Sequence, residues 1–471
     1  MTDLAWRSLT ELARMIATKE VSPVEAVRDH LERIAARDGT LRAYLTVCAE
    51  SAVEQARAAE VALMSGQPVG ALHGVPIALK DLFNTAGLKT TGGSRILADN
   101  VPAADATAVR RLRDAGAIVL GKLNMHEFAY GPEGRNDHYG SSRNPWDAAV
   151  ERIAGGSSSG SGVAVAAGLA PGALGSDTGG SVRIPASLCG ITGLKPTYGR
   201  VSRSGVLPLS WSMDHVGPMT RTAADSALML RAMAGYDPDD PTSSVLPVPD
   251  YLAALTGDVK GLRIGLLGPF FLASAAPEVR AAVQAAARVL AGAGAVVDEV
   301  SLGHMEDVSA ASSAVVGVEA LAYHAPWLRA RAGEYQADVR DRLRMGAFIT
   351  GLHYVRGQQV RALVRQEVEA ALARRDVLLA PTTPIAAPAV GEREAALGDG
   401  TSDVRSALIR LTRPFNFSGH PACSVPCGLT GAGLPIGMQF VGRPFDEATV
   451  LRAADAWQRL SEWHTRRPVL A

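Results

Sequence analysis

Cysteine is scarce: Cys48, Cys189, Cys423 and Cys427 are the whole set in 471 residues, and none forms a Cys-x-x-Cys pair. So few, so scattered, they exclude a disulfide framework. Cys423 and Cys427 read as buried strand residues, not metal ligands. An excess of one charge is also missing, since Lys+Arg and Asp+Glu both number 47. That balance argues against a nucleic-acid surface and against a charged tail. Lysine itself is rare, with Lys19, Lys80, Lys89, Lys122, Lys195 and Lys260 the only six. A lysine inside an apolar run therefore stands out. No run reaches the roughly 18 apolar residues of a spanning helix. The N-terminus, MTDLAWRSLTELARMIATKE, has early acidic residues and no signal-peptide core. A soluble, cytoplasmic protein without a membrane segment is expected.

What is present is enough apolar sequence for a large core, 47% of residues, arranged in alternating periods. From Leu4 to about Ser65 the spacing is helical, and Ser22-Pro23-Val24-Glu25 is a capping box with Pro in the first turn. Strands are expected at 74–81, 117–120, 262–267, 295–302, 376–380, 422–426 and 435–441. Helices are expected at 107–114, 222–233, 277–290 and 447–462, with two or three more across 310–374. Strands alternating with helices predict one α/β domain with helices on both faces of the sheet. The segments around 193–200 and 211–215 read as loops, and 387–403 reads as a mobile loop bordering the site.

The stretch Gly155–Ser187 organises the chain. It opens on eight consecutive Gly/Ser residues, Gly155 to Gly162, passes through small apolar residues, and closes on Asp177-Thr178-Gly179-Gly180-Ser181. A solvated linker would lead into polar sequence. Here a buried-looking segment follows at once, so Ser157 and Ser181 are expected on tight turns fixed against one core. Glycine lets backbones approach closely, which suits a site built from main-chain N–H groups.

Several patterns fail on inspection. Gly116-x4-Gly121-Lys122 lacks the Ser/Thr of a phosphate loop, having Leu123 instead. His126-Glu127 has Tyr130 where a zinc protease needs its second histidine, and no SxxK is present. Gly156-Ser157-Ser158-Ser159-Gly160 does satisfy GxSxG with Ser158 as nucleophile and His420 or His353 as partner. That elbow needs a clear preceding strand, and 145–154 is charged and irregular. The remaining reading joins Ser181 on a turn of convergent N–H groups, Ser157 able to pass on its proton, and Lys80 able to accept it. A lysine is a base at neutral pH only if burial lowers its pKa, and Lys80 follows the apolar Val75–Leu79. The bland alternative is a strand-end lysine paired with Asp81.

The segments GVPIALKD, GGSSSGS, GSDTGGSVRIPA and GLKPTYGRVS, in that order between Gly74 and Thr222, resemble the amidase signature family. A weaker likeness continues through DVLLAPT, FNFSGHPACSVPCG and GLPIGMQFVGRPFDE. The resemblance implies that family's fold, a single α/β/α sandwich over 1–471 with a mixed twisted sheet. It divides into an N-terminal helical layer (1–65), a signature core (70–225) and a second half of the sheet (260–471). It implies Ser181 as acylated nucleophile, Ser157 as bridging serine after a cis Gly156–Ser157 bond, and Lys80 as base. Thr178, Gly179, Gly180 and Ser181 match the oxyanion segment, and Ser158, Asp177 and Arg183 the residues supporting the loops. Ala129, Tyr130 and Ile184 should line the acyl pocket. No metal or cofactor is implied.

Some members are glutaminase A subunits of tRNA-dependent amidotransferases. Those carry an acidic residue where Ile409 stands here, and their helix around 315–324 differs. The expectation is therefore a stand-alone hydrolase, monomeric or homodimeric, without nucleic-acid or membrane partners. Its substrate would be an uncharged, partly hydrophobic small-molecule amide or carbamate. The A-subunit reading is the alternative.

Overall fold

The computed structural model describes residues 4–470. Its strands are β1 (Tyr44–Val47), β2 (Pro76–Lys80), β3 (Ile118–Leu123), β4 (Gly172–Ser176), β5 (Thr192–Lys195), β6 (Val216–Thr220), β7 (Arg263–Leu267), β8 (Val296–Val300), β9 (Val377–Pro381), β10 (Glu394–Leu397), β11 (Gly400–Asp403), β12 (Ala422–Leu429) and β13 (Pro435–Val441). Eleven of them form one mixed sheet in the order β1, β3, β2, β4, β6, β5, β12, β13, β9, β7, β8. The pairs β2 with β3 and β4, and β7 with β8 and β9, are parallel; the rest are antiparallel. β10 and β11 make a separate hairpin. Helices cover both faces of the sheet.

The alternation along β2 displays the layering. Ile77 and Leu79 belong to the large core that takes in Leu9, Leu12 and Leu230, whereas Ala78 faces a second core with Val163, Val165 and Leu169. Residues two apart share a face, and each face is closed by a helix layer. Ser22 caps the helix Pro23–Leu41 in the expected box with Glu25, and Thr222 caps Ala223–Met233 with Asp225. No helix among the described residues is long and apolar enough to cross a membrane.

Expected and observed elements differ in places with a physical cause. β1 interrupts the N-terminal helical stretch, because Tyr44–Val47 pairs with the edge of β3. The sequences GALGS, TGLK and VGPMT are rich in glycine and show no alternation, yet they form β4, β5 and β6 near the middle of the sheet. A Cβ on Gly217 of β6 would lie 2.1 Å from the Leu194 carbonyl oxygen, and one on Gly175 of β4 3.0 Å from Ser158 Oγ. Small residues are required there for close approach. The stretch 387–403 contains the β10–β11 hairpin, so it is not a structureless loop.

Candidate active site

Two neighbouring strand ends and two turns build the site. Lys80 closes β2, Ser176 closes β4, and the two serine turns flank the helix Ser159–Ala166 and β4. Lys80 is fully buried. Its Nζ donates to Ser157 Oγ at 2.6 Å and to Ser176 Oγ at 2.8 Å. Removal from water lowers the amine from 10.5 to about 7, against the opposing fields of Asp177 and Asp214. Asp81 is not its partner: Asp81 lies 3.5 Å from Lys122 Nζ and accepts from the N–H and hydroxyl of Thr91. The pairing of Lys80 with Asp81 is thus replaced by contact with two neutral hydroxyls, which leave the amine free to lose its charge.

The peptide bond between Gly156 and Ser157 is cis. A Cβ on Gly156 would stand 2.5 Å from Gly134 N, so only glycine lets the 131–134 loop back this turn. The Ser158 N–H donates to the Ser181 carbonyl at 3.3 Å, tying the two serine loops together. Ser158 Oγ donates to the Ser176 carbonyl at 3.2 Å and accepts the Ser176 N–H at 3.3 Å. Ser158 is therefore buttressed on β4, and no histidine reaches it. His215 faces the carbonyls of Asp177 and Met213, His420 is buried, and His353 is exposed at a helix cap. The GxSxG arrangement is absent.

Asp177 and Arg183 form a fully buried pair beneath the second turn. Asp177 accepts N–H groups from Gly180 at 2.8 Å, Val182 at 3.1 Å and Arg183 at 3.3 Å, and Asn416 Nδ2 at 2.7 Å. Burial pushes its carboxyl up, but Arg183 outweighs this and holds it well below the usual range. Arg183 in turn donates to Asn416 Oδ1 at 2.6 Å and Gln439 Oε1 at 2.8 Å. Gly180 sits at φ +130°, and a Cβ there would meet Thr412 Oγ1 at 2.2 Å. Because the Gly180 N–H is engaged by Asp177, the open donors of the Thr178–Ser181 segment are Thr178, Gly179 and Ser181.

Ser181, 7% exposed, opens onto a narrow cleft of about 40 Å³. Ala129 and Tyr130 line it, whereas Ile184 is fully buried and does not. Ile409, Arg405 and Arg413 line it instead. Sequence reasoning missed both arginines, which sit on short helices more than 220 residues from Ser181 and follow no motif. It also missed Ser176, Asn416 and Gln439. Only the short spacing of Ser176 from Asp177 offered a signal.

A family model described as Amidase matches residues 25–451. The A subunit of glutamyl-tRNA(Gln) amidotransferase from Moorella thermoacetica is 45% identical, over 99% of this chain and 99% of that protein. A solved structure described as a vestigial protein complex revealing the origins of an s-triazine catabolic enzyme superimposes with a TM-score of 0.92. It is 39% identical and covers 99% of this chain and 100% of that one. The corresponding A subunit from Thermotoga maritima gives a TM-score of 0.80 at 32% identity, covering 96% and 94%. These relatives overturn the expectation of a stand-alone hydrolase of small, partly hydrophobic amides. They equally overturn that of a monomer or homodimer with no further partner, since the amidotransferase relatives are subunits of an enzyme named for a tRNA. Ile409, which had pointed away from the A subunits, does not outweigh identity along the whole chain.

Proposed function

Because the chain belongs to the amidase signature family, we propose that it is an amide-splitting subunit of the amidotransferase A kind. In this reading Ser181 releases ammonia from a donor carboxamide inside a complex with other protein subunits. The observation that carries the chemistry is the buried Lys80 amine, 2.6 Å from Ser157 Oγ and lowered to about 7. Full-length identity to amidotransferase A subunits supports the setting.

Neutral Lys80 takes the Ser157 proton while Ser157 Oγ takes that of Ser181. Ser181 Oγ then bonds to the amide carbon, and the carbonyl electrons move to an oxyanion facing the N–H groups of Thr178, Gly179 and Ser181. Losing one such donor typically costs about 2.7–4 kcal/mol. Protonated Lys80 returns its proton through Ser157 to the leaving nitrogen as the C–N bond breaks. Ammonia departs, and water frees the acid by the same relay in reverse. Asp177 and Arg183 hold the donor turn and touch no reacting atom.

The test is to purify the tagged chain from its native host and assay ammonia release from donor amides. Co-elution with further polypeptides and ammonia release that vanishes in Ser181→Ala are expected. A chain recovered only as a monomer or homodimer contradicts the subunit reading, and undiminished release by Ser181→Ala contradicts the chemistry.

A further inference from the structure

Ala129 and Tyr130, which share the cleft with Ser181, stand on a turn that the backbone disfavours. Phe128 and Ala129 have φ +47° and +60°, two successive residues in the left-handed region that glycine normally fills. Backbone strain of this kind persists where the surroundings over-determine it, so the turn needs holding at both ends. The Phe128 ring supplies part of the hold, packed 4.5 Å from the His324 ring and 5.7 Å from that of Tyr335.

The polar part begins at Glu127, whose side chain is fully buried. A glutamate is rarely buried to that degree without partners, and this one has three from separate parts of the chain. Its Oε1 accepts the Ser94 hydroxyl at 2.6 Å and lies 2.9 Å from His138 Nε2, and its Oε2 accepts the Gln336 N–H at 2.9 Å. Burial pushes the Glu127 carboxyl up to about 8 and the His138 imidazole down, so near neutral pH the two meet as uncharged acid and uncharged ring. Gln336 carries the connection onward. Its Nε2 donates to Asp338 at 2.7 Å, Asp338 pairs with Arg342 at 2.6 Å, and Arg342 donates to the Tyr130 carbonyl. One continuous set of contacts thus fixes the turn at Glu127, where it starts, and at Tyr130, where it ends. Glu127 itself lines no part of the cleft.

We propose that Glu127 is a positioning residue for the amide reaction: with His138 and Gln336 it holds Ala129 and Tyr130 as the wall that aligns the acyl chain of the donor on Ser181. The proposal rests on Ser181 being the nucleophile and adds what shapes the cleft around it.

The test uses the full chain with its co-purifying subunits and two readouts. One is kcat/KM for ammonia release from glutamine; the other is the rate at which a small uncharged fluorophosphonate labels Ser181. The label reports the nucleophile and brings no acyl chain to the wall. Glu127→Ala should lower kcat/KM by about 10-fold or more, within the range that a misplacement of about 1 Å costs, and alter the labelling rate by less than about 3-fold. Glu127→Gln, which keeps a carbonyl for Gln336 and an N–H for His138, should recover most of the loss. His138→Phe keeps a ring but no partner for Oε1. It should lower kcat/KM by about 3-fold or more, the order of one hydrogen bond, and it decides the matter if Glu127→Ala does not fold. An unchanged kcat/KM in these variants, a labelling rate that falls in step with it, or no recovery by Glu127→Gln overturns the proposal and leaves Ser181 as nucleophile. Absence of labelling on wild-type Ser181 overturns both.

Discussion

At the scale of single residues, the account turns on an amine stored without its proton. Lys80, at about 7 in the folded chain against an ordinary 10.5 in water, is the base only when neutral. The kcat/KM for amide should therefore rise with pH through about 7 and level above it, and Lys80→Met should remove the rise with the activity. The same shift fixes a stability trend. Between about 7 and 10.5 the unfolded chain binds a proton at this lysine that the folded chain does not. Folding stability from this residue therefore increases with pH across that window. The melting temperature of the wild type should gain on that of Lys80→Met from about pH 7 upward. A constant difference would contradict a depressed amine.

The residues that sequence could read are those whose partners lie close in the chain or in a compact motif. Ser157 and Ser181 stand in runs of glycine and serine, and Lys80 is one of six lysines. Ser176 was hidden because its place beside Asp177 does not by itself mark it as the second acceptor of Lys80. Arg405 and Arg413 were hidden because their meaning comes from across the cleft. Ile184 was misjudged in the other sense, its position after the nucleophile suggesting a lining role that its burial denies.

At the scale of elements, strands with branched apolar residues were legible and the glycine-rich β4, β5 and β6 were not. β7, β9 and β13 carry Ile, Leu and Val, whereas β4, β5 and β6 are chosen for thinness. Their glycines let the serine turns and the strands come together, a requirement that propensity does not express. Gly217→Ala tests this. Its added methyl would meet the Leu194 carbonyl at 2.1 Å, and overpacking of this kind costs about 1–3 kcal/mol. Urea unfolding should reveal a lower midpoint at an unchanged slope. A wild-type midpoint would mean that β5 and β6 yield more easily than their spacing implies.

At the scale of the whole molecule, the balanced charge of the sequence led away from a tRNA-linked assembly, and the relatives led back to it. A net charge of zero describes one chain. It does not describe the surface of an assembly of several subunits. The apolar residues expected to line the pocket, Ala129, Tyr130 and Ile184, suggested an uncharged substrate; Ile184 lies outside the cleft of about 40 Å³, and Arg405 and Arg413 line it.

The central claim is that a lysine hidden from water drives Ser181 through Ser157. Peptide mass mapping after reaction with an uncharged fluorophosphonate, followed in time at mildly alkaline pH, tests it most directly. The adduct should sit on Ser181, disappear in Ser181→Ala, and form at least about 100-fold more slowly in Ser157→Ala and Lys80→Met, in line with the 10²–10⁴-fold contribution of general-base catalysis. An adduct on Ser158, or a labelling rate untouched by Lys80→Met, would contradict it.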